Sequence, residues 1–108
     1  MSTLIESYLY GSYGTHGLYS LTLTPDRITI AIAPWSEPEK FKVAVFESVE
    51  LQSIWTSTGD TPMDAMPWDI IGFDSTDLGG GRWEFLIYCN EAIEICWRSQ
   101  FPSVTSPP

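Results

Sequence analysis

The chain reads as mainly β, with α+β as the variant: a single antiparallel sheet, curved or partly closed, of about six strands with one or two short helices. Two stretches carry that reading. Residues 18–33 alternate apolar side chains with Ser, Thr and Ala on both sides of Pro25-Asp26. Residues 82–99 alternate in the same way around Asn90-Glu91-Ala92. A period of two belongs to strands with one buried face. One-sided strands need a second layer, so the sheet must curl over itself or carry a helix.

A tight turn at Pro25-Asp26 sets Leu23 opposite Ile28, Leu21 opposite Ile30 and Tyr19 opposite Ile32. One face is then wholly apolar, so register and hydrophobic pattern agree. Ahead of this hairpin, Thr3 and Glu6 have capping-box spacing and Gly11 suits a helix end. A short helix is expected over residues 3–11, although Tyr8 and Tyr10 equally suit a strand. Three glycines make residues 11–17 a loop.

After a second loop at residues 34–40, residues 41–46 form a strand with Phe41, Val43 and Val45 on one side. It runs on through Val49 and Leu51 past a bulge near Glu47-Ser48. Residues 56–67 are polar and turn-rich. There Thr61-Pro62-Met63-Asp64 supplies one helical turn, which Pro67 ends. Residues 68–73 are the next strand, closed by a turn over Asp74-Ser75-Thr76-Asp77 and by Gly79-Gly80-Gly81.

In the last hairpin Phe85 faces Trp97, Ile87 faces Ile95 and Cys89 faces Ile93, while Glu84 meets Arg98 on the reverse face. Cys89 and Cys96 then point to opposite faces and cannot form a disulfide. Residues 1–101 make one compact domain, and residues 102–108 a Pro-rich tail expected to be disordered or loosely docked.

Fourteen acids against five bases give a net charge of -9. Nucleic acid and anionic membrane surfaces need clustered Lys and Arg, which this chain lacks. No base falls between Lys42 and Arg82, a stretch that holds Glu47, Glu50, Asp60, Asp64, Asp69, Asp74 and Asp77 together with Trp55, Trp68 and Phe73. Acids beside aromatic anchors suit a protein partner with a basic surface. The expected partner-binding residues are Asp60, Asp64, Asp74, Asp77, Trp55 and Trp68. The ordinary roles of such side chains are turn capping, a solvated face and core packing.

His16 is the single histidine, and no second His or Cys has ligand spacing to it. The acids lack the density of a calcium loop, and Gly79-Gly80-Gly81 lacks the lysine and helix of a phosphate cradle. No catalytic residue, metal or cofactor is therefore expected. The opening residues Met1 to Glu6 lack the basic region and long apolar run of a secretory leader. No stretch approaches the ~18 apolar residues of a membrane span. A cytoplasmic protein is expected.

Residues 67–74 (PWDIIGFD), 81–89 (GRWEFLIYC) and 94–102 (EICWRSQFP) are similar to a pattern in small uncharacterised bacterial proteins. The N-terminal hairpin after Gly14-Thr15-His16 resembles small immunity proteins of bacterial polymorphic-toxin systems. Those families are compact, often acidic proteins that bind and block a toxin domain. They often carry a His-Asp pair at the loop before the first strand, whereas Gly17 follows His16 here, so no site residue carries over. The resemblance implies a non-enzymatic immunity or inhibitor protein. A small carboxylate-based hydrolase or carbohydrate-binding domain is the alternative. A structural or oligomerising module, such as a homodimer, is the third reading.

Overall fold

In the computed structural model residues 16–56, 67–90 and 93–105 are described. They form eight strands: β1 (His16–Thr24), β2 (Arg27–Pro34), β3 (Lys42–Glu47), β4 (Glu50–Thr56), β5 (Trp68–Gly79), β6 (Arg82–Cys89), β7 (Ile93–Ser99) and β8 (Ser103–Thr105). All pair antiparallel in one sheet of order β4-β7-β6-β5-β1-β2-β3-β8, which is not closed. Among the described residues there is no α-helix, only a single 3-10 turn at Pro38–Lys40. The helices expected at residues 3–11 and at Thr61 to Asp64 lie outside the described residues. Among the described residues no helix is long and apolar enough to cross a membrane.

Two of the eight strands go beyond the expected six. Strand β3 does not run on into β4 through a bulge. Ser48 takes a positive φ of 56° and turns the chain away to the opposite edge of the sheet. Within the tail, Ser103–Thr105 pair with β3 instead of hanging loose, with Ala44 opposite Val104. The turn expected over Asp74-Ser75-Thr76-Asp77 is also strand. These residues pair with Leu86, Phe85, Glu84 and Trp83, so β5 reaches Gly79. The reversal falls instead at Gly80-Gly81, with φ of 63° and 81°. Two positive φ values are what a two-residue hairpin turn with the right twist demands.

Both hairpin registers follow the alternation. Leu23 faces Ile28, Leu21 faces Ile30, Phe85 faces Trp97 and Ile87 faces Ile95. One pair differs. A bulge at Tyr19 sets Leu18, not Tyr19, opposite Ile32. Leu18 is fully buried and also pairs with Trp68 of β5. The extra residue of the bulge turns Tyr19 out against Trp35, with ring centroids 5.8 Å apart. On β3 the inward residues are Ala44 and Phe46, and Val43 and Val45 take the outer face.

The sheet is folded double. Strands β7 and β3 stand five places apart in the order, which in a flat sheet is about 24 Å. Yet Phe46 of β3 lies 5.0 Å from Trp97 of β7 and 4.9 Å from Phe85 of β6, ring to ring. The fold line runs between β5 and β1, where the pairs are Gly17 with Asp69 and Leu18 with Trp68. Leu18, Ile28, Ile30, Ile32, Ala44 and Phe46 of one leaf thus pack on Trp68, Ile70, Phe73, Phe85, Ile87 and Trp97 of the other. The chain crosses between leaves at residues 48–49 and again at residues 100–102. Gln100 N–H donates to the Glu47 carbonyl at 3.1 Å, Val49 N–H to that of Asp26 at 3.0 Å, and Arg82 Nη1 to that of Ser48 at 2.7 Å.

Candidate interaction face

The four-stranded leaf β4-β7-β6-β5 has an outer face whose composition follows from its registers. One cross-strand row holds Glu50, Arg98, Glu84 and Thr76. The next holds Ser53, Cys96, Leu86 and Asp74. The third holds Trp55, Glu94, Tyr88 and Gly72. Two aromatic rings thus flank Glu94, and Asp74 stands one row away. Glycine at residue 72 leaves open space at the end of the third row, since a β-carbon there meets nothing within 4 Å.

Both acids of the first row are paired, Glu84 within the row and Glu50 with Arg82 from beyond it. Arg98 Nε donates to Glu84 Oε2 at 3.0 Å, and Arg82 Nη2 sits 3.6 Å from Glu50 Oε2. Arg27 pairs with Glu47 and Lys40 with Glu37. Most of the bases are therefore held by acids, which leaves the excess negative charge to residues such as Asp74 and Glu94.

The expected binding residues divide. Trp55 is 51% exposed on the outer face, and Asp74 is exposed on the same face. Trp68 is 1% exposed, packed in the core beside Leu18 and Ile70. It cannot serve as a surface anchor, because its strand phase turns it inward. Asp77 lies on β5 in the row of Trp83 and Ser99, opposite in facing to Asp74, and its Oδ1 accepts from Gly79 N–H at 2.8 Å. That carboxylate caps local backbone. Asp60 and Asp64 lie outside the described residues. Sequence reasoning missed Tyr88 and Glu94, although the register that pairs Glu84 with Arg98 also sets Tyr88 opposite Glu94.

His16 opens β1 half-buried; burial first, then the charge of Lys42, lowers its pKa below 6.5. Nearby, Trp35 Nε1 donates to Asp69 Oδ1 at 3.2 Å, while Asp69 N–H donates to Asn90 Oδ1 at 2.8 Å. Both cysteines are free. Burial, then the Asp69 charge, pushes the Cys89 thiol up to about 12, and burial, then Glu84, raises that of Cys96. Neither is a ready thiolate nucleophile at neutral pH. Among the described residues no three His, Cys, Asp or Glu side chains gather to hold a metal ion. The chain matches no family model, no curated protein and no solved structure.

Proposed function

We propose that this is a non-enzymatic binding protein that meets a basic protein surface through the outer face of β4-β7-β6-β5. One observation carries the reading: Trp55, Glu94 and Tyr88 stand in a single cross-strand row, with Asp74 in the row beside it. Rigid aromatics give contact area at small entropic loss, and unneutralised carboxylates attract cationic groups and speed encounter. An immunity or inhibitor protein that occludes a basic toxin or enzyme is the most concrete form of this proposal. Its supports are the net charge of -9 and the resemblance of the N-terminal hairpin.

The spacing of Asp74 and Glu94 does not favour the hydrolase alternative, and Glu84, which lies closer to Asp74, is held by Arg98. Asp74 and Glu94 are separated by two strands and one row, about 12 Å. Paired-carboxylate glycoside hydrolysis works across roughly 5–9.5 Å, in a cleft.

The test uses wild type and the Asp74→Lys/Glu94→Lys double variant as baits in extracts of the native host. The expected result is a protein recovered at least tenfold less by the variant, whose association with wild type slows steeply as salt rises. Equal recovery by both baits, or a salt-independent on-rate, overturns the reading.

A further inference from the structure

Trp55, Glu94 and Tyr88 come from three adjacent strands, β4, β7 and β6, and each stands directly opposite the next. The carboxylate therefore rises between two aromatic side chains, one strand spacing from each. Two spacings, about 10 Å, separate Trp55 from Tyr88 across the sheet. A planar group held face to face between two rings needs about 7–8 Å, the sum of two contacts of ~3.5–4 Å. Each ring has to lean towards Glu94 by only about 1 Å to close on such a group. Trp55 is exposed, and Glu94 and Tyr88 are half-buried, so the set is reachable from solvent. Among the described residues neither ring packs on another ring, and Glu94 has no ion pair. Arg98, on the same strand as Glu94, is already held by Glu84. Gly72 ends the row without a side chain, and a β-carbon there would meet nothing within 4 Å. A partner's backbone can therefore approach closely beside Tyr88.

We propose that this row is a clamp for an arginine side chain of the partner protein, whose guanidinium lies over Glu94 between the Trp55 and Tyr88 rings. The proposal rests on the binding role given to this face above and names the group that the face reads. Charge complementarity selects a cation, since Glu94 brings a carboxylate that no described base neutralises. The rings select which cation. A guanidinium is planar, so both of its faces meet a ring at once, while its edge donates two parallel hydrogen bonds to a carboxylate. It is weakly hydrated and gives up water to the rings at small cost. A lysine ammonium is a compact, strongly hydrated point charge that gains from the carboxylate but little from being sandwiched. Cation–π attraction is strongest to Trp and also favourable to Tyr, the two rings present. Asp74, one row away, stands opposite Leu86 and not a ring. It therefore attracts any cation, and the choice of arginine falls to the row of Glu94.

The experiment titrates the full chain with capped glycine peptides that differ only in one central residue: arginine, lysine or trimethyl-lysine. The readouts are the NMR shifts of the Trp55 indole N–H and of the amides of residues 88 and 94. The expected result is binding of the arginine peptide about three- to fivefold tighter than the lysine peptide, the factor for an exposed cation–π contact. Trp55→Leu and, as a second variant, Tyr88→Leu each abolish this preference while the lysine peptide still binds and circular dichroism stays unchanged. Glu94→Gln weakens both peptides. Equal affinity for arginine and lysine overturns the clamp; if Glu94→Gln then weakens both alike, the basic-partner reading stands without it. Tightest binding of the trimethyl-lysine peptide, which has charge but no donor, also overturns the clamp, because the carboxylate then makes no hydrogen bonds. An arginine preference that survives both leucine variants overturns it too, since the selectivity then lies elsewhere. So does the absence of any shift with the arginine peptide.

Discussion

Trp35 covers Gly17 so closely that a β-carbon at residue 17 would stand 2.7 Å from Cη2 of the indole. The contact sits at the fold line, where Gly17 pairs with Asp69 and Asp69 accepts the indole Nε1–H. Glycine is required here for close approach, since any side chain displaces the ring. Gly17→Ala should lower stability by about 1–3 kcal/mol, the usual range for overpacking. In a Trp35→Ala background the same substitution should have almost no effect, because the clashing ring is gone. Urea unfolding of the four proteins gives the cycle. Equal losses in both backgrounds would show that the ring does not press on residue 17.

The doubling of the sheet rests on Phe46, which reaches from β3 to rings on β6 and β7. Phe46→Ala should destabilise by about 3–5 kcal/mol, the range for losing a buried aromatic. A cycle with Trp97→Leu should show coupling of about 0.5–1.5 kcal/mol, because the two rings meet edge to face at 82°. A flat or differently folded sheet gives no coupling between these two positions.

These two contacts also mark where the sequence stopped being readable. Within each hairpin the partners are neighbours in the chain, and the turn fixes their register, so Leu23–Ile28 and Ile87–Ile95 could be paired from alternation alone. Strand β4 pairs with β7, and β8 with β3, across about forty to sixty residues; no local signal sets such a match. Bulges did the rest. One at Tyr19 advances Leu18 into the core, one at Gln52 leaves Trp55 facing out, and one at Ile71 lets both Ile70 and Phe73 face in. The interaction face was half legible for the same reason. Trp55 and Trp68 look alike as residues, and only strand phase separates the exposed indole from the buried one.

Ser48 and Asn90 both take the left-handed region, with φ of 56° and 55°. Their substitutions by glycine should have opposite signs. Ser48→Gly relieves a conformation that disfavours most side chains by about 1–2 kcal/mol, part of which is returned as unfolded-state entropy. Its carbonyl still accepts from Arg82, so a net gain of a few tenths to about 1 kcal/mol is expected. Asn90→Gly also relaxes the backbone, but it removes the acceptor that holds Asp69 N–H at 2.8 Å. The loss of that bond, about 0.5–1.5 kcal/mol, is expected to dominate. Thermal unfolding of the two variants side by side checks the signs; a Ser48→Gly protein less stable than wild type counts against the relief of strain.

The Glu84–Arg98 pair crosses β6 and β7 at 3.0 Å on a largely exposed face. Exposed pairs of this kind contribute roughly 0.2–1 kcal/mol, and salt screens them. A cycle with Glu84→Gln and Arg98→Gln should return a coupling in that range at low salt and close to none in molar salt. Coupling that persists undiminished in molar salt would mean that the pair is shielded from solvent.

Cys89 should make the protein sensitive to alkali in a defined window. Its thiol is buried beneath the β6–β7 turn and is pushed from the ordinary 9.0 up to about 12. The unfolded chain releases this proton first, so the folded state binds more protons between those two values. Stability due to the group is therefore full below about pH 9 and falls as pH rises towards about 12, by up to about 1.4 kcal/mol per pH unit. Tyr and Lys titrate in the same range, so the comparison is with Cys89→Ala. That variant starts lower because of its cavity, and the gap to wild type should narrow steadily above pH 9 in denaturant titrations. Thiol labelling at pH 8 provides the second reading. The half-exposed Cys96 should react in the native protein, while Cys89 reacts only as the protein unfolds. A constant gap from pH 8 to 11, or native labelling of Cys89 as fast as Cys96, would show that the residue 89 thiol is not buried in this way.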